Sequence, residues 1–160
     1  MKKISITSEF LVYESLAELS KADQQLMNHA IEARKKAYAP YSQFSVGAAI
    51  LLDNDKIILG NNQENAAYPS GLCAERVAIY NAGANHPDSI IVKIAISANS
   101  AKKSVSQPVA PCGACRQTIA EYEIKQEKLI PILFMGESGK VVETESLKNL
   151  LPLGFDKSLL

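Results

Sequence analysis

A three-layer α/β sandwich around a mixed, roughly five-stranded sheet is the fold the sequence predicts, and three observations point to it. The chain of 160 residues is 47% apolar and 21% charged, with Lys+Arg equal to Asp+Glu, the make-up of one globular core. Short aliphatic runs alternate with stretches of helical period in the order α-β-β-α-β-α-β-β-α. Late in the chain a helix stands between two apolar runs, which predicts a right-handed parallel β-α-β crossover.

Residues 1–19 show no strong period, so residues 1–20 read as an N-terminal extension and 21–160 as a single domain. Ser20 followed by Asp23 resembles a capping box, and Leu26, Ala30, Ala33 and Ala37 then fall on one face, predicting a helix over 21–38. Pro40 stops it, because proline has no amide to donate and turns its predecessor away from helical geometry. Ser45 to Leu52 and Lys56 to Leu59 flank the turn-forming Asp53-Asn54-Asp55 and predict a hairpin. A helix follows from Cys73 to Ala82 with Gly83 as its stop, then a β-branched strand from Ile90 to Ser97. A polar loop from Asn99 to Pro111 leads to a helix over 112–123, strands at 129–135 and 140–143, and a last helix at 145–151.

Charge and composition exclude several classes of function. Zero formal net charge provides no basic field for a long nucleic acid, and no apolar run approaches the ~20 residues that span a bilayer. The N-terminal Met1-Lys2-Lys3-Ile4-Ser5-Ile6 lacks the apolar core of a signal peptide, so a cytoplasmic location is expected. Three cysteines are an odd number and too few for a disulfide-stapled domain, which directs attention to thiol chemistry or a metal.

Cys73, Cys112 and Cys115 all fall at predicted helix starts, where free amides and a partial positive charge favour the thiolate. The i, i+3 spacing of Cys112-Gly113-Ala114-Cys115 puts two sulfurs on one face, with Gly113 keeping the turn uncrowded. Three thiolates leave a tetrahedral zinc ion one open position, the pattern of a catalytic site. His29 and His86 are the other soft donors, and neither has a spacing that favours it as a ligand. Glu75 lies about 200° round the helix from Cys73, awkward for sharing a metal and free for proton work. Arg76, at i+3 from Cys73, can return over the same turn and offset the negative charge of a tris-thiolate site. Each of these residues taken alone has an ordinary structural reading; it is their combination that points to chemistry.

Cys73-Ala74-Glu75 followed by Pro111-Cys112-Gly113-Ala114-Cys115 matches the signature of zinc deaminases. The chain resembles the cytidine deaminases, in the small three-cysteine form that is usually a homotetramer, over roughly residues 21–155. Further segments carry the likeness: Tyr41-Ser42-Gln43-Phe44-Ser45-Val46-Gly47-Ala48-Ala49, Asn62-Gln63-Glu64-Asn65-Ala66-Ala67-Tyr68-Pro69, and Leu150-Leu151-Pro152 through Phe155. The resemblance implies one zinc per subunit on Cys73, Cys112 and Cys115, with Glu75 as general acid/base and Arg76 supporting the ligands. It implies that Asn62 and Glu64 bond the sugar hydroxyls and that Phe44 packs on the pyrimidine. Backbone around Ala74 would help hold the base, and Tyr68 and Phe155 would complete pockets at subunit contacts. The activity implied is hydrolytic deamination of cytidine and deoxycytidine to uridine, deoxyuridine and ammonia, as in pyrimidine salvage.

Three features depart from the family pattern: the extension 1–20, Gln63 at an often aliphatic place, and a longer 99–111 loop containing Lys102 and Lys103. They bear on substrate range more than on reaction type, so a modified pyrimidine nucleoside of the blasticidin kind stands as an alternative substrate. Editing of a base within RNA or DNA is disfavoured by the charge balance. A zinc module serving only folding is weakened by the open position and by Glu75.

Overall fold

Alternation along one central strand organises the layers. In the computed structural model, which describes residues 1–157 and 160, strand β4 (Ile91–Ser100) turns Ile94 and Ile96 to one face and Ala95 to the other. On the first face, helices α2 (Ala74–Asn85) and α3 (Gly113–Gln126) bury Ala78, Ile79 and Ile119 against Ile50, Ile94, Ile96 and Ile132. Each such isoleucine contributes ~1.5–3 kcal/mol by leaving water. Helix α1 (Lys21–Arg34) covers the second face with Leu26, Met27 and Ala30 on Ala49, Ala95 and Leu133. Small residues on that face let α1 lie close.

The sheet has six strands, not five. Besides β2 (Phe44–Leu52), β3 (Ile57–Asn61), β4, β5 (Ile132–Met135) and β6 (Val141–Thr144), a short β1 (Leu11–Tyr13) pairs antiparallel with β6. The spatial order is β1-β6-β5-β4-β2-β3, and β4 with β5 is the parallel pair, as the crossover through α3 requires. Three residues are too few to show a period, so β1 is set by pairing and by the Tyr13 hydroxyl, which donates to Glu143 at 2.8 Å.

Several boundaries shift for local reasons. Helix α1 stops at Arg34 because the chain beyond it is drawn into other pairing: the Tyr38 amide donates to Asn62 and its carbonyl accepts from Glu64. Helix α2 runs through Gly83, which serves packing and not termination, since a Cβ there would strike the Tyr122 hydroxyl on α3. The expected last helix is a single 3-10 turn, Leu147–Asn149. Ser146 is extended and caps the turn by accepting from Lys148, so the turn starts at Leu147, and Pro152 disfavours helical geometry at Leu151.

Candidate active site

The N-termini of α2 and α3 converge at one end of the sheet and deliver the cysteines. Cys73 and Cys112 are the N-cap residues of α2 and α3, both extended, and neither uses its sulfur to cap its helix. Cys115 follows in the first turn of α3 and is fully buried, while Cys73 is half-buried and Cys112 exposed. The Cys73 and Cys112 sulfurs lie 3.7 Å apart and the Cys112 and Cys115 sulfurs 3.5 Å apart. All three fall within 4.8 Å of one another, and neither histidine joins them. Tetrahedral zinc with bonds of ~2.3 Å needs sulfurs ~3.8 Å apart, so the donor set fits that ion in both chemistry and spacing.

Close approach of α2 to the sheet comes from Gly60 on β3, where a Cβ would overlap the Ala74 carbonyl and the Ala78 amide. That contact fixes the helix turn that bears Glu75 and Arg76. Glu75 is 5% exposed and its Oε2 has no hydrogen-bond partner. Burial pushes its carboxyl up to about 7, with the neighbouring Cys73 thiolate acting in the same direction. A buried carboxylate with a free oxygen is costly to the fold and useful for moving a proton.

Arg76 reaches back so that Nη2 lies 3.9 Å from the Cys73 sulfur, while its Nε is buried without a partner. Among themselves the sulfurs share charge unequally. Hydrogen bonding from the Cys115 thiol and then from Arg76 brings Cys73 down to about 5, and its hydrogen bond to Cys73, with burial and nearby Glu75, pushes Cys115 up.

A cavity of about 540 Å³ opens beside Cys73 and Arg76, bounded by Asn62, Glu64, Tyr41 and Tyr68. Asn62 stands just past β3, where its Oδ1 accepts from the Val46 amide at 2.7 Å and its Nδ2 donates to the Phe44 carbonyl at 2.9 Å. One amide hydrogen and one lone pair remain for a ligand. Glu64 Oε2 accepts from the Tyr41 and Ser42 amides at 2.9 and 3.2 Å; hydrogen bonding to Ser42 and Tyr41 holds its carboxyl below the usual range. Tyr68 is exposed and meets Tyr41 edge-on, with ring centroids 6.1 Å apart. Gln63 also lines the cavity, its Nε2 bonded to Asn61 Oδ1 and its backbone paired with Leu72.

The structure thus gathers Cys73, Cys112, Cys115, Glu75 and Arg76 into one cluster, with Asn62, Glu64 and Tyr68 around the adjoining cavity. Ala74 is buried at the start of α2, and Phe44 opens β2 half-buried. Phe155 does not join them: it is exposed and lies over α3, where its carbonyl accepts from Gln117 at 2.9 Å. The sequence places Arg116 in the segment Pro111-Cys112-Gly113-Ala114-Cys115-Arg116-Gln117, which resembles a metal-binding helix start of the family, but gives it no role of its own. In the structure its guanidinium bonds the carbonyls of Pro111 and Leu150.

Comparison with known proteins gives a consistent result. A family profile described as the cytidine and deoxycytidylate deaminase zinc-binding region matches residues 20–129. The chain is 38% identical over 132 residues to a cytidine deaminase of Halalkalibacterium halodurans, covering 82% of this chain and 92% of that protein. It is 39% identical over 134 residues to a cytidine deaminase of Sporosarcina psychrophila, covering 84% and 91%. A crystal structure of cytidine deaminase from Burkholderia pseudomallei superposes with a TM-score of 0.72 at 36% identity, covering 86% of this chain and 100% of that one.

Proposed function

The chain belongs to the cytidine and deoxycytidylate deaminase family, and from that premise we propose how its residues perform the zinc-dependent hydrolysis of cytidine to uridine and ammonia. Cys73, Cys112 and Cys115 hold one zinc per subunit. When bound, zinc supplies a Lewis acid that lowers the pKa of water at the open position. Glu75 does the proton work. It takes a proton from the attacking water and passes one to the ring nitrogen as the new C–O bond forms; it then carries the second water proton to the amine. The C–N bond breaks, ammonia leaves, and a ring carbonyl remains, so that water and cytidine account for every atom of uridine and ammonia.

Asn62 and Glu64 read the sugar hydroxyls, Phe44 packs on the pyrimidine, and the backbone at Ala74 orients the base. A site built to bond a hydroxyl rejects a ligand lacking it, because buried polar groups are then left unpaired. Deoxycytidine keeps the 3′- and 5′-hydroxyls and is handled by the contacts to those, whereas free cytosine offers none. Arg76 offsets the negative charge of the thiolates. Tyr68 and Phe155 complete pockets across subunit contacts of a homotetramer; the exposure of both aromatic rings, and of Cys112, supports that reading. The extension 1–20 is an addition to the catalytic domain 21–160. Pyrimidine salvage in the cytoplasm is the setting proposed, with a free nucleoside as substrate and neither nucleic acid nor membrane as partner. Among the described residues no helix is long and apolar enough to cross a membrane.

One observation carries the catalytic assignment: a nearly buried carboxylate with an unpartnered oxygen beside three clustered thiols. The test is absorbance and ammonia release from zinc-loaded protein given cytidine, deoxycytidine or free cytosine. Turnover of both nucleosides but not of cytosine is the expected result. Turnover of cytosine at a comparable rate would remove the sugar-reading role of Asn62 and Glu64.

A further inference from the structure

Two consecutive residues of α3 tie distant chain to the turn that bears Cys112. Arg116 donates from Nε to the Pro111 carbonyl at 2.8 Å and from Nη1 to the Leu150 carbonyl, also at 2.8 Å. Gln117 donates from Nε2 to the Phe155 carbonyl at 2.9 Å. The Pro111 carbonyl belongs to the peptide plane that enters Cys112, so its orientation directs where the Cys112 side chain leaves the backbone. Cys112 is exposed and its sulfur caps no backbone amide; its carbonyl accepts from the Arg116 amide at 2.9 Å, and its sulfur lies 3.7 and 3.5 Å from those of Cys73 and Cys115. Leu150, in contrast, is 9% exposed and packed in the core formed by α2, α3 and the sheet. One planar guanidinium therefore connects the exposed ligand turn to the carbonyl of a core residue.

We propose that Arg116 is a positioning residue for the deamination reaction: its guanidinium fixes the Pro111–Cys112 peptide against Leu150 and so holds the Cys112 sulfur in register with those of Cys73 and Cys115. This rests on the metal-centre reading given above. The geometry asks for arginine in particular. A guanidinium presents several donors in one rigid plane, whereas an ammonium on a flexible stem cannot hold both carbonyls at fixed directions. Outer groups that orient metal ligands commonly matter to the site almost as much as the ligands do.

The test compares full-length wild type, R116A, R116K and Q117A, each loaded with zinc. Release of zinc to a chromogenic chelator is timed well below the unfolding temperature, and kcat and KM are measured alongside. R116A is expected to release zinc ~10–100-fold faster, with kcat lowered and KM changed less than about threefold, since Arg116 orients a ligand and not the nucleoside. R116K falls between R116A and wild type. Q117A, which touches only the Phe155 end, releases zinc at the wild-type rate. Should R116A fail to fold, R116K carries the comparison against Q117A. Cobalt-substituted protein gives a second readout, a shift of the thiolate-to-metal absorption in R116K but not in Q117A. Folded R116A and R116K with wild-type zinc release overturn the proposal, as does a lowered unfolding temperature with unchanged release. Wild-type protein that retains no zinc, or C112A that retains it as wild type does, overturns the metal-centre reading itself.

Discussion

Arg76 Nη2 lies 3.9 Å from the Cys73 sulfur, one helical turn back along α2, and so places a fixed positive charge beside a thiol whose pKa it helps to lower. Its Nε is buried and unpartnered, which means the guanidinium is held there at some cost to the fold. R76Q is therefore expected to lower kcat/KM by ~10–100-fold without lowering the unfolding temperature. R76K, keeping the charge but losing the planar group, is expected to lose less. Steady-state kinetics beside thermal unfolding check both halves, and wild-type kcat/KM in R76Q would mean that the charge does not bear on the reaction.

Glu75 presents the same trade more sharply. A carboxylate that is 5% exposed and has an unpartnered oxygen destabilises the fold that contains it. E75Q keeps the shape without the charge. The expected outcome is loss of ~10²–10⁴ in kcat, retention of zinc, and a gain of about 1 kcal/mol in stability near pH 8. Metal content, turnover and denaturant unfolding measure the three effects separately, and near-normal turnover would remove Glu75 from the chemistry.

Gly60 and Gly113 flank the site but differ in what surrounds them. A Cβ at Gly60 would overlap the backbone of Ala74 and Ala78, which cannot move without displacing the α2 turn that carries Glu75 and Arg76. G60A should cost ~1–3 kcal/mol and lower kcat as well. Around Gly113 nothing lies within 4 Å, so the glycine is not needed for space. G113A should leave activity intact and gain ~0.4–1 kcal/mol, chiefly by restricting the unfolded chain. Urea denaturation curves of the two variants should shift in opposite directions.

Lys93 ties α1 to β6, and Glu143 carries the network on to β1. The Lys93 Nζ lies 2.8 Å from Asp23 Oδ1 on α1 and 3.0 Å from Glu143 Oε1 on β6, and Glu143 accepts from Tyr13 on β1. Burial alone would lower the Lys93 pKa, but hydrogen bonding to Asp23 and Glu143 outweighs it and raises the value above 10.5. A lysine whose folded value is raised contributes stability that is fully present below its unfolded value and disappears as pH climbs through the folded one. K93M should thus be less stable than wild type by ~1–3 kcal/mol at pH 8, with the gap narrowing above pH 10.5. Paired denaturation curves at pH 8 and pH 11 give the comparison, and a gap that is unchanged at pH 11 would exclude the Lys93 charge as its source.

Strong local signals were legible in the sequence, and tertiary decisions were not. Cys73, Glu75, Cys112 and Cys115 could be read from spacing because one helix start positions each pair, leaving only the meeting of two helices to the fold. The hairpin of β2 and β3 was equally plain, since Asp53-Asn54-Asp55 supplies its own turn and Asp55 adopts the left-handed state such turns need. Strand β1, in contrast, exists only through its partner β6. Arg34 shows the same limit: nothing in the predicted helix 21–38 marks it as buried, yet it is 8% exposed and donates from Nη1 to Ser97 at 2.7 Å and to the Ala98 carbonyl at 3.1 Å. Glu123 shows it too: it is 5% exposed and accepts from the amides of Leu147 and Ile130, partners distant enough in the chain that no local spacing marks them.

Asn62 and Glu64 serve two purposes at once, and the two can be separated. Asn62 bridges the Val46 amide and the Phe44 carbonyl, so N62A removes structure as well as any sugar contact. Glu64 holds the Tyr41 and Ser42 amides through Oε2 alone, in an exposed position where water can replace it. The second oxygen remains for a hydroxyl. E64Q keeps an acceptor oxygen for the amides but loses the charge-assisted bond, roughly twice as strong as a neutral one. For E64Q we expect KM for cytidine to rise by ~10-fold, corresponding to about 1.4 kcal/mol, with stability little changed. N62A should both raise KM and lower the unfolding temperature, because a half-buried backbone amide and carbonyl lose their side-chain partner. Initial-rate measurements with cytidine and deoxycytidine, set beside thermal unfolding of each variant, distinguish the two roles. Unchanged KM in E64Q for both nucleosides would confine Glu64 to shaping the Tyr41–Ser42 turn and leave Asn62 as the residue that reads the sugar.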